Sequence, residues 1–118
     1  MISNHGDLEN TILNAVWAIE ENEQNSDLID VGSVQRSINS EQQKWAYTTI
    51  KTVLDRLVEK ALLNKIKYGR KYFYSSTCSR LELGERAINK LAQQYFRNDM
   101  VSMLRTIEAM SEKELTLV

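Results

Sequence analysis

The sequence predicts a mainly α (α+β) fold in which three helices, a β-hairpin and two further helices follow one another. Apolar residues recur at helical spacing through most of the chain, which is typical of amphipathic helices. The period changes in residues 62–75, where alternating apolar and aromatic residues indicate strands. With 118 residues, the chain is long enough for one domain, or for one small domain with an appendage.

The first two predicted helices each follow an aspartate, a residue type that caps helix N-termini. After Asp7, apolar residues recur at Leu8, Ile12, Ala15, Val16 and Ile19. Residues 20–27 are too polar to bury and predict a helix end and a loop, and residues 28–29 predict a short extended stretch. A short helix then follows Asp30, with apolar residues at Val31, Val34 and Ile38.

The third helix is the clearest, and its two faces differ sharply. Its apolar face comprises Tyr47, Ile50, Val53, Leu54, Leu57 and Val58. Its opposite, polar face comprises Thr48, Lys51, Thr52, Asp55 and Glu59. This pattern predicts a helix with one side in the core and one in solvent, ending near Lys60.

A β-hairpin with a basic tip is predicted next. Residues 62–68 alternate in polarity, and residues 71–75 are rich in aromatic side chains. Gly69 lies between them and can adopt the positive φ that tight turns require. Arg70 and Lys71 follow it and make the tip basic.

Two amphipathic helices complete the chain. Ser79 and Glu82 have the spacing of a capping box that opens a long helix. A break at residues 97–98 precedes another helical stretch, and Ser111 with Glu114 forms a second capping-box match. We place the boundary between a first domain, residues 1–76, and a helical region, residues 77–118, just before the first capping box.

Composition and charge exclude several classes of function. Residues 1–40 contain seven acids and one base, residues 41–74 contain eight bases and three acids, and the remainder is balanced. A basic middle can bind a polyanion, although a solvated surface has the same composition. Cys78 and His5 are the only residues of their types, which excludes a disulfide framework and a cysteine zinc cluster and leaves no common catalytic triad. No secretory signal, membrane-spanning helix, cofactor or metal site is predicted.

The order helix, short helix, long helix and basic hairpin predicts a winged helix-turn-helix domain. Its third helix fits the major groove of DNA, where Lys51 can donate to guanine or phosphate and Thr48 and Thr52 can contact base edges. Side chains expected at the sugar-phosphate backbone, or at the minor groove for the hairpin tip, are Arg56, Lys60, Arg70 and Lys71.

Other residues have structural interpretations that we prefer. Asp55 can accept a hydrogen bond from the cytosine N4 amino group or pair with Lys51, and the pairing is favoured. Trp17 and Trp45 are expected to anchor the core. A redox role for Cys78, near a helix N-terminus, is the weaker alternative to an inert thiol.

Residues 45–60, WAYTTIKTVLDRLVEK, together with Gly69-Arg70 and Tyr72-Phe73-Tyr74, resemble the penicillinase-repressor family of bacteria. This family includes β-lactamase, methicillin-resistance and copper-responsive repressors. The resemblance implies a homodimeric repressor that binds inverted-repeat operators, with DNA contacts at Thr49, Lys51, Thr52 and Arg56. It also implies a C-terminal dimer contact, for which the apolar sides of the last helices supply Leu83, Ala87, Leu91, Tyr95, Met100, Met103, Leu104 and Ile107.

Departures from the family leave the inducing signal open. The paired C-terminal cysteines of copper-responsive members are absent, and residues 105–107 replace the Asn-Phe bond that is cleaved in the β-lactam branch. The family's glycine after the third helix is Ala61 here. A sensor or protease that relieves repression is the further partner that the resemblance implies.

The sequence therefore predicts a cytoplasmic, sequence-specific DNA-binding repressor without catalytic activity. One alternative is a winged-helix protein-interaction module whose basic segment binds an acidic protein. Another is an enzyme with Cys78 as its nucleophile, which the lack of a nearby histidine disfavours.

Overall fold

A computed structural model describes residues 5–22 and 28–117. It contains five helices and a two-stranded antiparallel sheet, which confirms the mainly α winged-helix fold. The elements are α1 (His5–Glu21), α2 (Val31–Ile38), α3 (Tyr47–Glu59), β1 (Leu63–Tyr68), β2 (Lys71–Ser76), α4 (Arg80–Tyr95) and α5 (Met100–Leu117).

The contacts divide the chain into two compact units. The first ends at Arg80 and is called the winged-helix unit, and the second, Leu81–Val118, is called the helical-pair unit. The predicted division into a winged-helix domain, residues 1–76, and a helical dimerisation region, residues 77–118, stays a prediction. In the part of the chain that the structure describes, no helix combines the length and the low polarity needed to cross a bilayer.

The core of the winged-helix unit lies where α1, α2 and α3 meet. It is almost entirely aliphatic, which matches the predicted helical periods. Its most deeply buried side chains are Ile12, Val16, Val34, Ile50, Leu54, Leu57 and Leu63. Helix α1 begins at His5, so Asp7 lies in its first turn and is not the N-cap that the sequence suggested. An aspartate in that turn still favours the helix through the helix dipole.

Side-chain caps fix the entry into α2 and the turn after it. The Asp30 carboxylate accepts a hydrogen bond from the Ser33 amide at 2.8 Å, as predicted for an N-cap. Asn39 ends the helix and holds Trp45 at both backbone groups, with its Oδ1 accepting from the Trp45 amide at 2.8 Å and its Nδ2 donating to the Trp45 carbonyl at 3.2 Å. Gln35 Nε2 also donates to the Trp45 carbonyl at 3.2 Å, so two amide side chains brace the turn between α2 and α3.

A Schellman motif ends α3. The amide of Leu62 donates to the Leu57 carbonyl and the amide of Ala61 to the Val58 carbonyl. This motif requires a left-handed residue at the position after the cap, where glycine is preferred. Ala61 adopts that conformation with φ of 62°, so the chain pays a steric cost that glycine would avoid.

The hairpin confirms the predicted strands and turn. Strand β1 pairs with β2 from Leu63 opposite Ser76 to Tyr68 opposite Lys71. Gly69 has φ of 65° at the first position of the two-residue turn, as in type II′ turns. Ile29 forms an isolated bridge with Tyr74 and so adds the predicted extended stretch beside the hairpin.

The remainder of the winged-helix unit is tied together by polar contacts to α1. Glu20 accepts from the Ser76 amide at 3.0 Å and from its hydroxyl at 2.7 Å. The buried Trp17 indole donates to the Cys78 carbonyl at 3.0 Å, while the Arg80 guanidinium lies 5.2 Å from its ring. These contacts confirm Trp17 as a core anchor.

The helical-pair unit turns sharply between its helices. Arg97 and Asn98 both have positive φ, and Asp99 then caps α5 by accepting from the amides of Val101 and Ser102. Ser111 lies inside α5, so the second capping-box match does not begin a helix. The match is wrong because a continuous helix already satisfies the backbone amides that such a box would cap.

Candidate nucleic-acid interface

The exposed side of α3 carries a row of polar side chains, here called the α3 face: Thr48, Thr49, Lys51 and Thr52. The helix presents them because Ile50, Val53, Leu54 and Leu57 occupy its opposite side in the core. At 100° per residue, Thr48 and Thr52 are central on this face and Thr49 and Lys51 flank them. The Thr52 hydroxyl donates to the Thr48 carbonyl at 2.8 Å, which leaves its oxygen lone pairs and methyl group outward.

A groove of about 460 Å³ lies beside the α3 face, bounded by α2, α3 and the hairpin. Four cationic side chains line it, and we call it the basic groove: Arg36, Lys51, Arg70 and Lys71. Three of these come from the predicted DNA contacts, which the fold therefore brings together from α3 and the hairpin. Convergence of cations from three elements suits a polyanionic backbone.

Several residues of this groove were not predicted from the sequence. Tyr47 was predicted in the core, but it is 52% exposed and lines the groove together with Arg36 and Tyr72. Arg36 is the only base among the first 40 residues, so its proximity to the basic hairpin depends on the tertiary fold. For Tyr47, its position at the first turn of α3 is the signal that could have indicated exposure.

Arg56 and Lys60 are not among the residues that line the basic groove. Lys60 forms an ion pair with Glu9 of α1, with 2.7 Å between the ammonium nitrogen and a carboxylate oxygen. Arg56 is half-buried on α3. Their predicted phosphate contacts stay predictions.

One carboxylate connects α3 to the hairpin. Asp55 Oδ2 accepts from Lys51 at 2.8 Å, and Oδ1 accepts from Lys65 and from the Tyr74 hydroxyl, each at 2.8 Å. Burial raises the pKa of Asp55, but the hydrogen bonds from Lys51, Lys65 and Tyr74 outweigh it and lower the pKa to about 2. The carboxylate is therefore ionised at neutral pH.

The pKa values of two partners of Asp55 shift in the opposite direction. The hydrogen bond to Asp55 raises the pKa of Lys51. Burial, followed by the same carboxylate, raises the pKa of Tyr74 well above its usual range. Lys65 also lies 4.4 Å from the centre of the Tyr72 ring, a cation-π distance. Tyr74 also packs in the core, since this side chain is 3% exposed.

A second carboxylate lies at the other edge of the basic groove. Although burial raises the pKa of Asp30, hydrogen bonds from the Ser33 amide and hydroxyl lower it overall, aided by Lys71 and Arg36. The Lys71 ammonium nitrogen is 3.9 Å from an Asp30 carboxylate oxygen, and the Lys71 side chain is 72% exposed. At that separation and exposure, Lys71 remains available to an external anion.

The predicted dimer-contact residues lie in the helical-pair unit, and most of them are exposed. Leu91, Tyr95, Leu104 and Ile107 have between 43% and 73% of their surface in solvent. Met103 is buried within the single chain, and Leu83 is half-buried. Further exposed apolar residues of this unit are Leu81, Ile88, Val101 and Met110.

A family model described as "Penicillinase repressor" matches residues 5–118, which is nearly the whole chain. The chain belongs to the penicillinase repressor family. This result confirms the resemblance carried by residues 45–60 and the hairpin. The family is one of DNA-binding transcriptional repressors and is not enzymatic.

A curated relative is 32% identical over 80 residues, which are 68% of this chain and 49% of the relative. It is described as "Uncharacterized 16.5 kDa protein in ptsI 3'region" of Latilactobacillus sakei. The chain thus spans about half the length of this relative.

In this family member, Cys78 lies outside the α3 face and has a structural role. Cys78 is buried, and its carbonyl holds the Trp17 indole. Among the described residues, no group of three or more histidine, cysteine, aspartate or glutamate side chains has a geometry that could hold a metal ion. The α3 face and the basic groove present hydrogen-bond donors and cations.

Proposed function

We propose that this penicillinase-repressor family member is a sequence-specific transcriptional repressor that binds an inverted-repeat operator as a homodimer in the bacterial cytoplasm. The observation that carries the proposal is the adjacency of the α3 face and the basic groove. The first offers hydrogen-bond donors, acceptors and methyl groups on one exposed helix, and the second adds three cations beside Lys51, namely Arg36, Arg70 and Lys71. Direct recognition of bases and neutralisation of phosphates need these two kinds of surface side by side.

The α3 face supplies sequence recognition in this proposal. A B-DNA major groove admits one α-helix, and the Lys51 ammonium can donate to guanine N7 and O6. Thr48 and Thr52 present small side chains at the centre of the face, where they can contact base edges and thymine methyl groups. Thr49, at the flank, is expected to contact the backbone.

The basic groove supplies phosphate contacts. Arg70 is at the tip of the hairpin, and Lys71 and Arg36 line the groove between that tip and α2. Their contacts carry no base preference, so they contribute affinity that falls as salt concentration rises. Lys60 and Arg56 extend the proposed backbone contacts along α3.

The exposed apolar side chains of α4 and α5 support a homodimer. A row of large apolar residues with about half of its surface in solvent is costly for a single chain and is typical of an assembly contact. A twofold dimer then presents two α3 faces to two half-sites, which requires an inverted repeat. Relief of repression by a sensor or protease remains a prediction from the family resemblance.

Selection from random duplex DNA by the purified chain tests this proposal. We expect an enriched inverted repeat, with two chains per duplex by sedimentation of the complex. A matched selection with the quadruple variant Arg36→Ala, Lys51→Ala, Arg70→Ala, Lys71→Ala should recover no repeat. If the wild-type chain enriches nothing and instead binds acidic protein at the same salt, the proposal is wrong and the basic groove serves a protein partner.

A further inference from the structure

Asp55 is a negative charge set inside a surface that attracts a polyanion. Its side chain has 31% of its surface exposed, and it lies on α3 one turn after Lys51. Its two oxygens are used differently. Oδ2 accepts from Lys51 alone, whereas Oδ1 accepts from Lys65 of β1 and Tyr74 of β2.

The two carboxylate oxygens of Asp55 therefore have different roles. Oδ1 fastens the hairpin to α3, because both of its donors come from the two strands. Oδ2 fixes the direction of one side chain of the α3 face. The Lys51 ammonium, 46% exposed by side-chain surface, is held 2.8 Å from this oxygen.

A phosphate and a base edge interact differently with the Lys51–Asp55 pair. A phosphate that approaches Lys51 is repelled by the Asp55 carboxylate and must compete with it for the ammonium. A guanine edge is uncharged and presents two acceptors. Since an ammonium has three N–H donors, Lys51 can donate to a base while one donor stays on Asp55.

We propose that Asp55 is a specificity-determining residue, which lowers binding to arbitrary duplex DNA by holding Lys51 away from phosphates and positions that ammonium for a base edge. This inference rests on the proposed DNA-binding function and deepens it. The carboxylate acts through Lys51 and is a positioning residue, so its removal should strengthen binding to random DNA while weakening discrimination. Few residues of an interface have that combined effect, because loss of an ordinary contact weakens binding.

The variant Asp55→Asn separates the two oxygens. An asparagine that keeps Oδ1 toward Lys65 and Tyr74 retains the hairpin contacts, and its Nδ2 replaces the oxygen that holds Lys51. The ammonium is then released without loss of the tether between α3 and the hairpin. Glu59→Gln is the matched control, since Glu59 is exposed one turn further along α3 and its substitution changes net charge equally.

The experiment measures affinity of the full chain for its selected operator and for random duplex of equal length, over a series of salt concentrations. For Asp55→Asn we expect random-duplex affinity to rise about three- to tenfold at low salt, with the salt slope steeper by about 0.9, as for one further neutralised phosphate. The ratio of operator to random affinity should fall by at least the same factor. In a Lys51→Ala background the steeper slope should disappear.

Three outcomes would overturn the inference, and they are distinguishable. If Asp55→Asn matches Glu59→Gln in slope and ratio, only net charge matters. If it weakens both duplexes equally and lowers the thermal midpoint, Asp55 is a structural tether alone. If wild-type chain binds neither duplex even at low salt, the proposed function itself fails, and the inference fails with it.

Discussion

The two units of the chain treat their apolar side chains in opposite ways. In the winged-helix unit, Ile12, Leu54 and Leu57 are at most 1% exposed. In the helical-pair unit, Leu91, Leu104 and Ile107 have 43% to 54% of their surface in solvent, and Ala92 and Met103 are the buried apolar residues among those described. The same periodic pattern of apolar residues produces a core in one unit and an uncovered face in the other.

The difference follows from how many elements each unit contains. Three helices and a hairpin can enclose the apolar faces that they contribute, whereas two helices of sixteen and eighteen residues cannot enclose both of theirs. A periodic apolar stripe therefore indicates a helix reliably, but it does not tell whether the stripe is covered by the same chain or by another one. Substitutions in each unit can test whether the winged-helix unit recognises DNA and the helical-pair unit forms the dimer.

The largest expected effect is on assembly. We expect the double variant Leu104→Glu, Ile107→Glu to raise the dimer Kd at least about 100-fold, because each carboxylate would be buried without a partner at an apolar contact. Sedimentation equilibrium over a concentration series measures this change. Ser102→Glu, on the opposite side of α5, adds one negative charge where the double variant adds two, and should leave the dimer intact. A double variant that still assembles would place the contact elsewhere.

Lys51→Ala should weaken operator discrimination by about 1–3 kcal/mol, since a lysine that donates to a base edge contributes that much against a wrong base. Competition between operator and single-base variants of it measures the loss. The control is Lys67→Ala, which removes one exposed cation from the hairpin outside the predicted contacts. Equal losses on operator and random DNA would make Lys51 a phosphate contact and transfer recognition to the threonines.

Arg70→Ala should weaken binding to all duplexes alike and reduce the salt slope by about 0.9, because one phosphate contact is lost at the hairpin tip. Affinity measured at several salt concentrations gives the slope. Arg86→Ala, on α4 in the helical-pair unit, removes the same charge and should leave the slope unchanged. An unaltered slope for Arg70→Ala would exclude the hairpin from the interface.

The smallest effect concerns stability alone. Ala61→Gly should stabilise the chain by about 1 kcal/mol, because glycine adopts positive φ without the clash of a Cβ atom. Thermal unfolding measures the shift. Ala18→Gly, at an exposed position inside α1, should instead destabilise by about 0.5–1 kcal/mol, since glycine is a poor helix former. Destabilisation by both substitutions would mean that Ala61 is not strained.

Local patterns predicted the fold well. Asp30, Gly69 and the apolar stripe of α3 each act within a few residues, through a cap, a turn conformation or a helical period. Such effects can be predicted from a sequence because the interacting residues are neighbours along the chain. The pairing of Asp55 with Lys51 was predicted for the same reason, since the two residues are one helical turn apart.

The features that were not predicted depend on contacts between residues that are distant in sequence. Lys65 and Tyr74 reach Asp55 only because the hairpin folds back onto α3, and Arg36 joins the basic groove only because α2 lies beside the hairpin. Tyr47 continues the apolar stripe of α3 in sequence but lies at the end of that helix, where the core no longer covers it. Periodicity identifies which face is apolar, whereas tertiary packing decides how much of it is covered.

The two tryptophans give the winged-helix unit two intrinsic fluorescence signals. Trp45, half-buried and braced by Asn39, lies two residues before α3 and next to the α3 face, so its fluorescence should change when duplex DNA binds. Trp17, buried under the Arg80 guanidinium, should instead change when the unit unfolds. A Trp45→Phe chain would retain the unfolding signal and lose the binding signal, so comparison of its emission with that of the wild-type chain separates the two processes.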